Sequence, residues 1–362
     1  DGSIKNCSTY ATLGTQQDGY AYLGGIVGIN NRTVTDSAPA ASITVRGRYI
    51  IGGVAGLNLT NANITYNTSN NIPVTVQANE CAGGVAGVNC GNIVLGSTTL
   101  RVNITAESYA GGIAGSNNTR NATIASIAGG NVTGTVTATK NYAGGAAGAN
   151  YANITGVTLV DGARVRANDQ FAGGIAGSNE SGAQIINAGV DNGVKIGVAK
   201  CDAAGIAANN FGIIQGGTVG SCDITFAGES IGAVTAINNA GATISGVMLK
   251  ENANIAFHGP ATNVGGIAGK NAGTIGGCKV ENPALALSDL TARADSISLG
   301  GAAGVNMQGA KINGTTVTLN ITDNLNKYKN LGGVAGENAG GGTLFECTYQ
   351  GALGKANTTG AA

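Results

Sequence analysis

Side chains suited to metal ligation or nucleophilic catalysis are scarce in this 362-residue chain: seven cysteines, an odd number, and a single histidine, His258. Cys7, Cys278 and Cys347 each follow an apolar residue by three positions, in I-x-x-C or L-x-x-C. Other repeats place Val157, Ile127 or Val247 in that slot, so these thiols read as small inward core residues and not as ligands. Cys81 and Cys90 form one candidate disulfide pair and Cys201 and Cys222 another, and spacing leaves both open. No HExxH-type zinc motif occurs. No catalytic residue, metal or cofactor is expected.

Hydrolysis of a polysaccharide would need paired carboxylates, or an Arg or Lys base, in a groove built by long insertions. The carboxylates here are dispersed. Glu107, Lys140, Asp169 and Lys200 recur at intervals of 29 to 33 residues with alternating sign, the pattern of a surface ion-pair ladder. Tyr109, Tyr142 and Phe171 follow the first three by two residues, with Tyr22 further back. Such rings form either a packing ladder or an aromatic platform for a sugar or partner.

These recurrences belong to a repeat that spans the chain. GGIAGSN and close variants occur eleven times at intervals of 28 to 35 residues, starting at Gly24, Gly52, Gly83, Gly111, Gly144, Gly173, Ala204, Gly232, Gly265, Gly300 and Gly332. A period of about 31 residues means one supersecondary unit stacked on copies of itself. Between anchors, Val, Ile and Thr alternate with polar residues in RVNIT, TVTAT, ITVRG and KIGVA, and no helical apolar period appears. The expected fold is all-β: a β-solenoid, or parallel β-helix, of eleven to twelve coils with three short strands per coil. Residues 1–362 form a single elongated domain.

With the first anchor residue as zero, position six is Asn in every copy: Asn30, Asn58, Asn89, Asn117, Asn150, Asn179, Asn210, Asn238, Asn271, Asn306 and Asn338. Stacked amides can bond along the axis, so these residues are expected to form a structural Asn ladder. Simple alternation then points position three outward. That position holds Ala55, Ala86, Ala114, Ala147, Ala176, Ala207, Ala268, Ala303 and Ala335, with Val27 and Thr235 as exceptions. With the Gly or Ala at position one, these alanines are a candidate flat packing face. With the parity reversed, they would fill a narrow interior.

Composition supports an assembling protein. Glycines number 63, yet 43% of residues are apolar and recur in register, which argues against disorder, and no three-residue collagen period exists. Only 10% of residues are charged, and the 19 acidic and 19 basic ones cancel, which leaves no basic footprint for nucleic acid and favours association. No apolar run is long enough to insert in a membrane. Fourteen N-x-S/T sequons, among them Asn63, Asn103, Asn131, Asn153 and Asn320, are a weak signal in so Asn- and Thr-rich a chain.

The pattern GG-[IVA]-[AV]-G-x-N-x-G-x-I-x-x-C, complete in GGIAGKNAGTIGGC from Gly265 to Cys278, resembles the GLUG repeat. The resemblance covers essentially the whole chain. It implies a display or structural region of a bacterial surface or secreted protein, with any chemistry placed elsewhere. The chain departs from it where Ala replaces a larger apolar residue, as in GGAAGAN and GGAAGVN.

No cap is recognisable at either end, and GSIKNC with Leu13 and Gly14 matches GTLFEC with Leu353 and Gly354 at an offset of 340 residues. Two expectations follow: a longer array of neighbouring repeats, or head-to-tail stacking between molecules. The expected function is a non-catalytic extracellular or cell-surface structural protein, a fibre or stalk subunit whose partners are copies of itself. The alternative is an adhesin or carbohydrate-binding module with a glycan or host-surface ligand. A polysaccharide-active enzyme fits least.

Overall fold

The alternation of Val, Ile and Thr with polar residues gives strands throughout the computed structural model, which describes residues 2–15, 17, 19–37, 44–67, 73–119, 125–287, 289–291, 296–322 and 328–354. No α-helix occurs among the described residues. The strands stack into three parallel sheets, and each coil contributes to all three, so the molecule is a β-solenoid. A leading sheet of eleven strands carries the residues that run into each anchor, such as Tyr109–Gly111. A trailing sheet of eleven strands carries anchor positions three to six, such as Ala114–Asn117. The remainder of each coil lies in a broad sheet of 26 strand segments, except that Ile321–Thr322 and Leu353–Gly354 pair as a separate two-stranded sheet.

That broad sheet is where the expectation of three strands per coil needs refinement. In one coil it comprises Gln184–Ile186, Gly189–Val190 and Val194–Val198. Elsewhere it runs on as Asn92–Ala106. The breaks follow a column of left-handed residues two positions after the inward Ile: Asn187, Gly216, Gly246 and Gly277 have φ of 51°, 63°, 62° and 57°. Gly and Asn tolerate this backbone at little cost, and it bends the chain one short step along the same side.

The inward column itself runs Ile64, Ile93, Ile127, Ile154, Ile185, Ile214, Ile244, Ile275, Ile312, each fully buried and in register with the next. Ile127 thus belongs to this column and not to the cysteine slot expected for it, which lies three residues further on. A second column, Val45, Val76, Ile104, Val136, Val165, Ile196, Ile224 and Phe257, lines the far half of the broad sheet. Burying each such side chain is worth about 1.5–3 kcal/mol, so stacking coils is what stabilises any one of them.

The leading and trailing sheets meet at backbone contact. A Cβ added at Gly144, anchor position zero, would lie 1.9 Å from the Ala147 carbonyl oxygen and 2.7 Å from Ala176 Cα. One at Gly87, position four, would lie 2.6 Å from Ile51 N. The anchor glycines are therefore required by the close approach of two sheets.

This geometry corrects the outward packing face. Ala55, Ala86, Ala114, Ala147, Ala176, Ala207, Ala268 and Ala303 are completely buried, and Ala335 is half-buried. The cause is the bend between the two thin sheets, where the backbone N–H groups of positions two and three both donate to one carbonyl: Ile113 N and Ala114 N each reach Ala146 O, at 3.0 and 2.9 Å. Parity counted through that bend slips by one, and positions two and three both face inward. Thr235 fills the same site because its hydroxyl donates to the Ile237 and Ala208 carbonyls.

Candidate functional site

The most regular polar feature is the Asn column. At each step an Asn Nδ2 donates to the Oδ1 of the Asn one coil on, in ten successive bonds of 2.7–2.9 Å that join all eleven residues. Most Nδ2 groups also reach a backbone carbonyl where the next coil begins its broad-sheet run, as Asn117 does to Asn153 O at 3.1 Å. From Asn58 to Asn306 every member is completely buried, and Asn338 is exposed. Each side chain's donors and acceptor are spent on its neighbours, which is what a buried amide requires. The column ties the trailing sheet to the broad sheet and has no free group to offer a ligand. Asn58, Asn117 and Asn179 are also sequons, and burial removes them as acceptors for glycans.

At the start of central strands of the leading sheet, Tyr109 and Tyr142 stack with centroids 5.5 Å apart and planes 9° apart, and Phe171 continues the stack at 6.0 Å. Tyr142 has a ring on each face, so the central ring offers only its edge. Tyr22 occupies the same row but is separated from the stack by Ile50 and Cys81. A shallow cleft of about 280 Å³ opens beside the stack between Ile50, Cys81, Val88, Tyr109 and Tyr151.

Asp202 stands in the same row one coil beyond Phe171, a position at which composition gave no warning of a carboxylate. It is 6% exposed. Burial, reinforced by the charge of Glu229, pushes it up to about 6, although the Ser230 N–H donates to its Oδ1 at 3.2 Å. Gly228 makes room for it, since a Cβ there would lie 1.8 Å from Oδ1. Aligning the row residue by residue, from Tyr142 through Phe171, would have flagged this carboxylate in the sequence.

The charged column pairs in twos. Lys140 bonds Glu107 and Lys200 bonds Asp169, the latter at 2.6 Å. Glu107 is the main cause of a raised Lys140. All four side chains are well exposed, so each pair adds little stability.

All seven cysteines are free thiols, so neither Cys81 with Cys90 nor Cys201 with Cys222 is bridged. Cys81 packs with Val88 against Ile50, Leu57 and Tyr109, whereas Cys222 lies inward in the broad sheet between Val194 and Ile255. Burial pushes Cys81 and Cys222 up to about 12 and Cys278 up to about 11, which keeps these thiols protonated and poor nucleophiles. Cys7, Cys278 and Cys347 share one slot, each thiol directed at the carbonyl two residues before it, but of the three expected inward only Cys278 is buried: Cys347 is half-buried and Cys7 exposed. His258 Nδ1 lies 2.8 Å from Asp289 Oδ2. Among the described residues no three His, Cys, Asp or Glu side chains converge.

No protein-family model, no curated protein and no solved structure matches the chain.

Proposed function

We propose that this chain is a non-catalytic structural rod, a subunit of an extracellular or cell-surface fibre or stalk. The observation that carries the reading is the unbroken Asn column, in which ten consecutive side-chain bonds couple every coil to the next. Residues that recur in every coil are spent on packing and register: glycines on sheet contact, alanines on the narrow interior, amides on the column. The resemblance of the Gly265–Cys278 motif to GLUG repeats supports a surface or secreted setting. The coil geometry that joins one repeat to the next, parallel strands plus a donated amide, would equally join copies of the chain or a further run of repeats. Axial stacking is therefore the mode of association, and the buried alanines offer no face for lateral packing.

The adhesin reading keeps the aromatic stack as its platform, but a ring sandwiched as Tyr142 is cannot also stack on a sugar. Sedimentation velocity over a wide concentration range tests the proposal. A weight-average mass that climbs in steps of one chain supports axial association; a single species at all concentrations contradicts it.

A further inference from the structure

The outer surface of the broad sheet carries a second feature that the rod does not need. On its last strand segment, Thr135, Arg164, Lys195 and Asp223 stack in one outward column and Thr137, Arg166, Gly197 and Thr225 in the adjacent one. Between these columns lies an open groove of about 650 Å³ that crosses four coils, with Val165 and Ile196, whose side chains are buried, along its floor. Gly197, flanked by Arg166 and Thr225, leaves a notch in the second column, because no side chain rises there.

Basic groups are in excess here: Arg164, Arg166 and Lys195 line the groove with no carboxylate among its lining residues, and Asp223 stands at its end, next to Lys195. Arg164 and Arg166 are exposed and have no ion pair or side-chain hydrogen bond among the described residues. Lys195 is held by Asp223 at 3.3 Å, with both side chains about half exposed, a contact weak enough to be exchanged for a ligand. In a chain with net charge zero and only 10% charged residues, two unpaired guanidinium groups on adjacent columns of a rigid sheet are a local excess. Guanidinium forks recognise carboxylate and sulfate oxygens in paired hydrogen bonds, and the Thr135, Thr137 and Thr225 hydroxyls add neutral donors and acceptors around them. The only aromatic residue lining the groove, Phe226, is 3% exposed and offers no face on which a base could stack.

We propose that this groove binds an acidic polysaccharide, with Arg164 and Arg166 paired to its carboxylate or sulfate groups and the threonines to its hydroxyls. The site lies on a different sheet from the aromatic stack and is independent of whether the rod self-associates.

Binding of the full chain to polygalacturonate and to heparin, with dextran as neutral control and charge-matched single-stranded DNA as competitor, tests this by calorimetry at low and raised salt. The two acidic glycans, or one of them, should bind and dextran should not, with affinity falling as salt rises. Arg164→Ala and Arg166→Ala should each weaken binding about tenfold. Gly197→Glu should abolish it by filling the notch with a negative charge; an added Cβ there meets nothing closer than 3.7 Å, so folding should survive, as circular dichroism will show. Tighter binding of the DNA, equal binding of dextran, or retention of affinity in the double arginine variant would overturn the assignment. Loss of glycan binding on Tyr109→Ala with both arginines intact would place the site on the aromatic stack and overturn it equally.

Discussion

Asn179 illustrates what the column demands of each residue. Its Nδ2 donates to Asn210, and its Oδ1 accepts from Asn150. Removing the amide by Asn179→Ala leaves a buried donor on one side and a buried acceptor on the other, at a cost of about 2–4 kcal/mol. The loss should appear in chemical denaturation as a lower midpoint, whereas Asn338→Ala, which removes one partner of Asn306 at an exposed position where water can replace it, should cost less. Asp202 gives the opposite sign. Its folded-state value of about 6 lies above the ordinary 3.8, so its contribution to stability is complete below about pH 4 and is lost as pH rises through 6. Asp202→Asn should therefore stabilise the chain above pH 6, by up to about 3 kcal/mol, and leave it unchanged near pH 4, read from thermal unfolding at both pH values. Destabilisation at high pH would contradict the assignment of burial as the dominant cause. The Asn column was legible from a single invariant position, because a polar residue repeated at one coil position has few places to go except onto itself. The place of Asp202 in the aromatic row was legible too, two residues before Ala204, but its burial was not, because that depends on how Gly228 and Ser230 of the next coil pack against it.

At the scale of the strand, the anchor is a device for bringing two sheets together without side chains between them. Gly144→Ala should cost about 1–3 kcal/mol, because its new methyl would overlap the Ala147 carbonyl. A natural exception shows how such a methyl can be accepted. Where Ala204 replaces the leading glycine, Ala208 and Ala236 also replace the fourth-position glycines, and the three pack together with Phe171 and Ile237. Substituting one glycine alone lacks those partners. A Gly144→Ala chain with an unshifted melting temperature would contradict the close approach. The sequence made the strands and their parallel stacking evident through the 31-residue period and the alternation of Val, Ile and Thr with polar residues, as in RVNIT and KIGVA. It misplaced the alanines because strict alternation holds only along a straight strand, and the shared carbonyl at Ala146 marks a bend. The segmentation of the broad sheet was hidden for a related reason: a left-handed Asn187 or Gly216 looks like an ordinary turn residue until its column is seen.

Over the whole molecule, columns of like residues turn a local rule into a long-range one. Apart from contacts such as the Lys250–Asp191 ion pair, which spans two coils, each coil packs on its neighbours, so stability is approximately a sum over adjacent pairs and the same interface can extend along the axis. Eleven strands at about 4.8 Å give a body of roughly 50 Å along the axis, short for a stalk unless copies or further repeats continue it. The rod's outer surface is then available for other tasks, and the Arg164–Arg166 groove would repeat once per chain along a fibre. Electron microscopy of the concentrated chain tests the structural role most directly. The account predicts stiff filaments, one solenoid wide, whose averaged images carry a layer line at about 4.8 Å along the axis. Separate short particles at every concentration, with no axial contact between them, would contradict it.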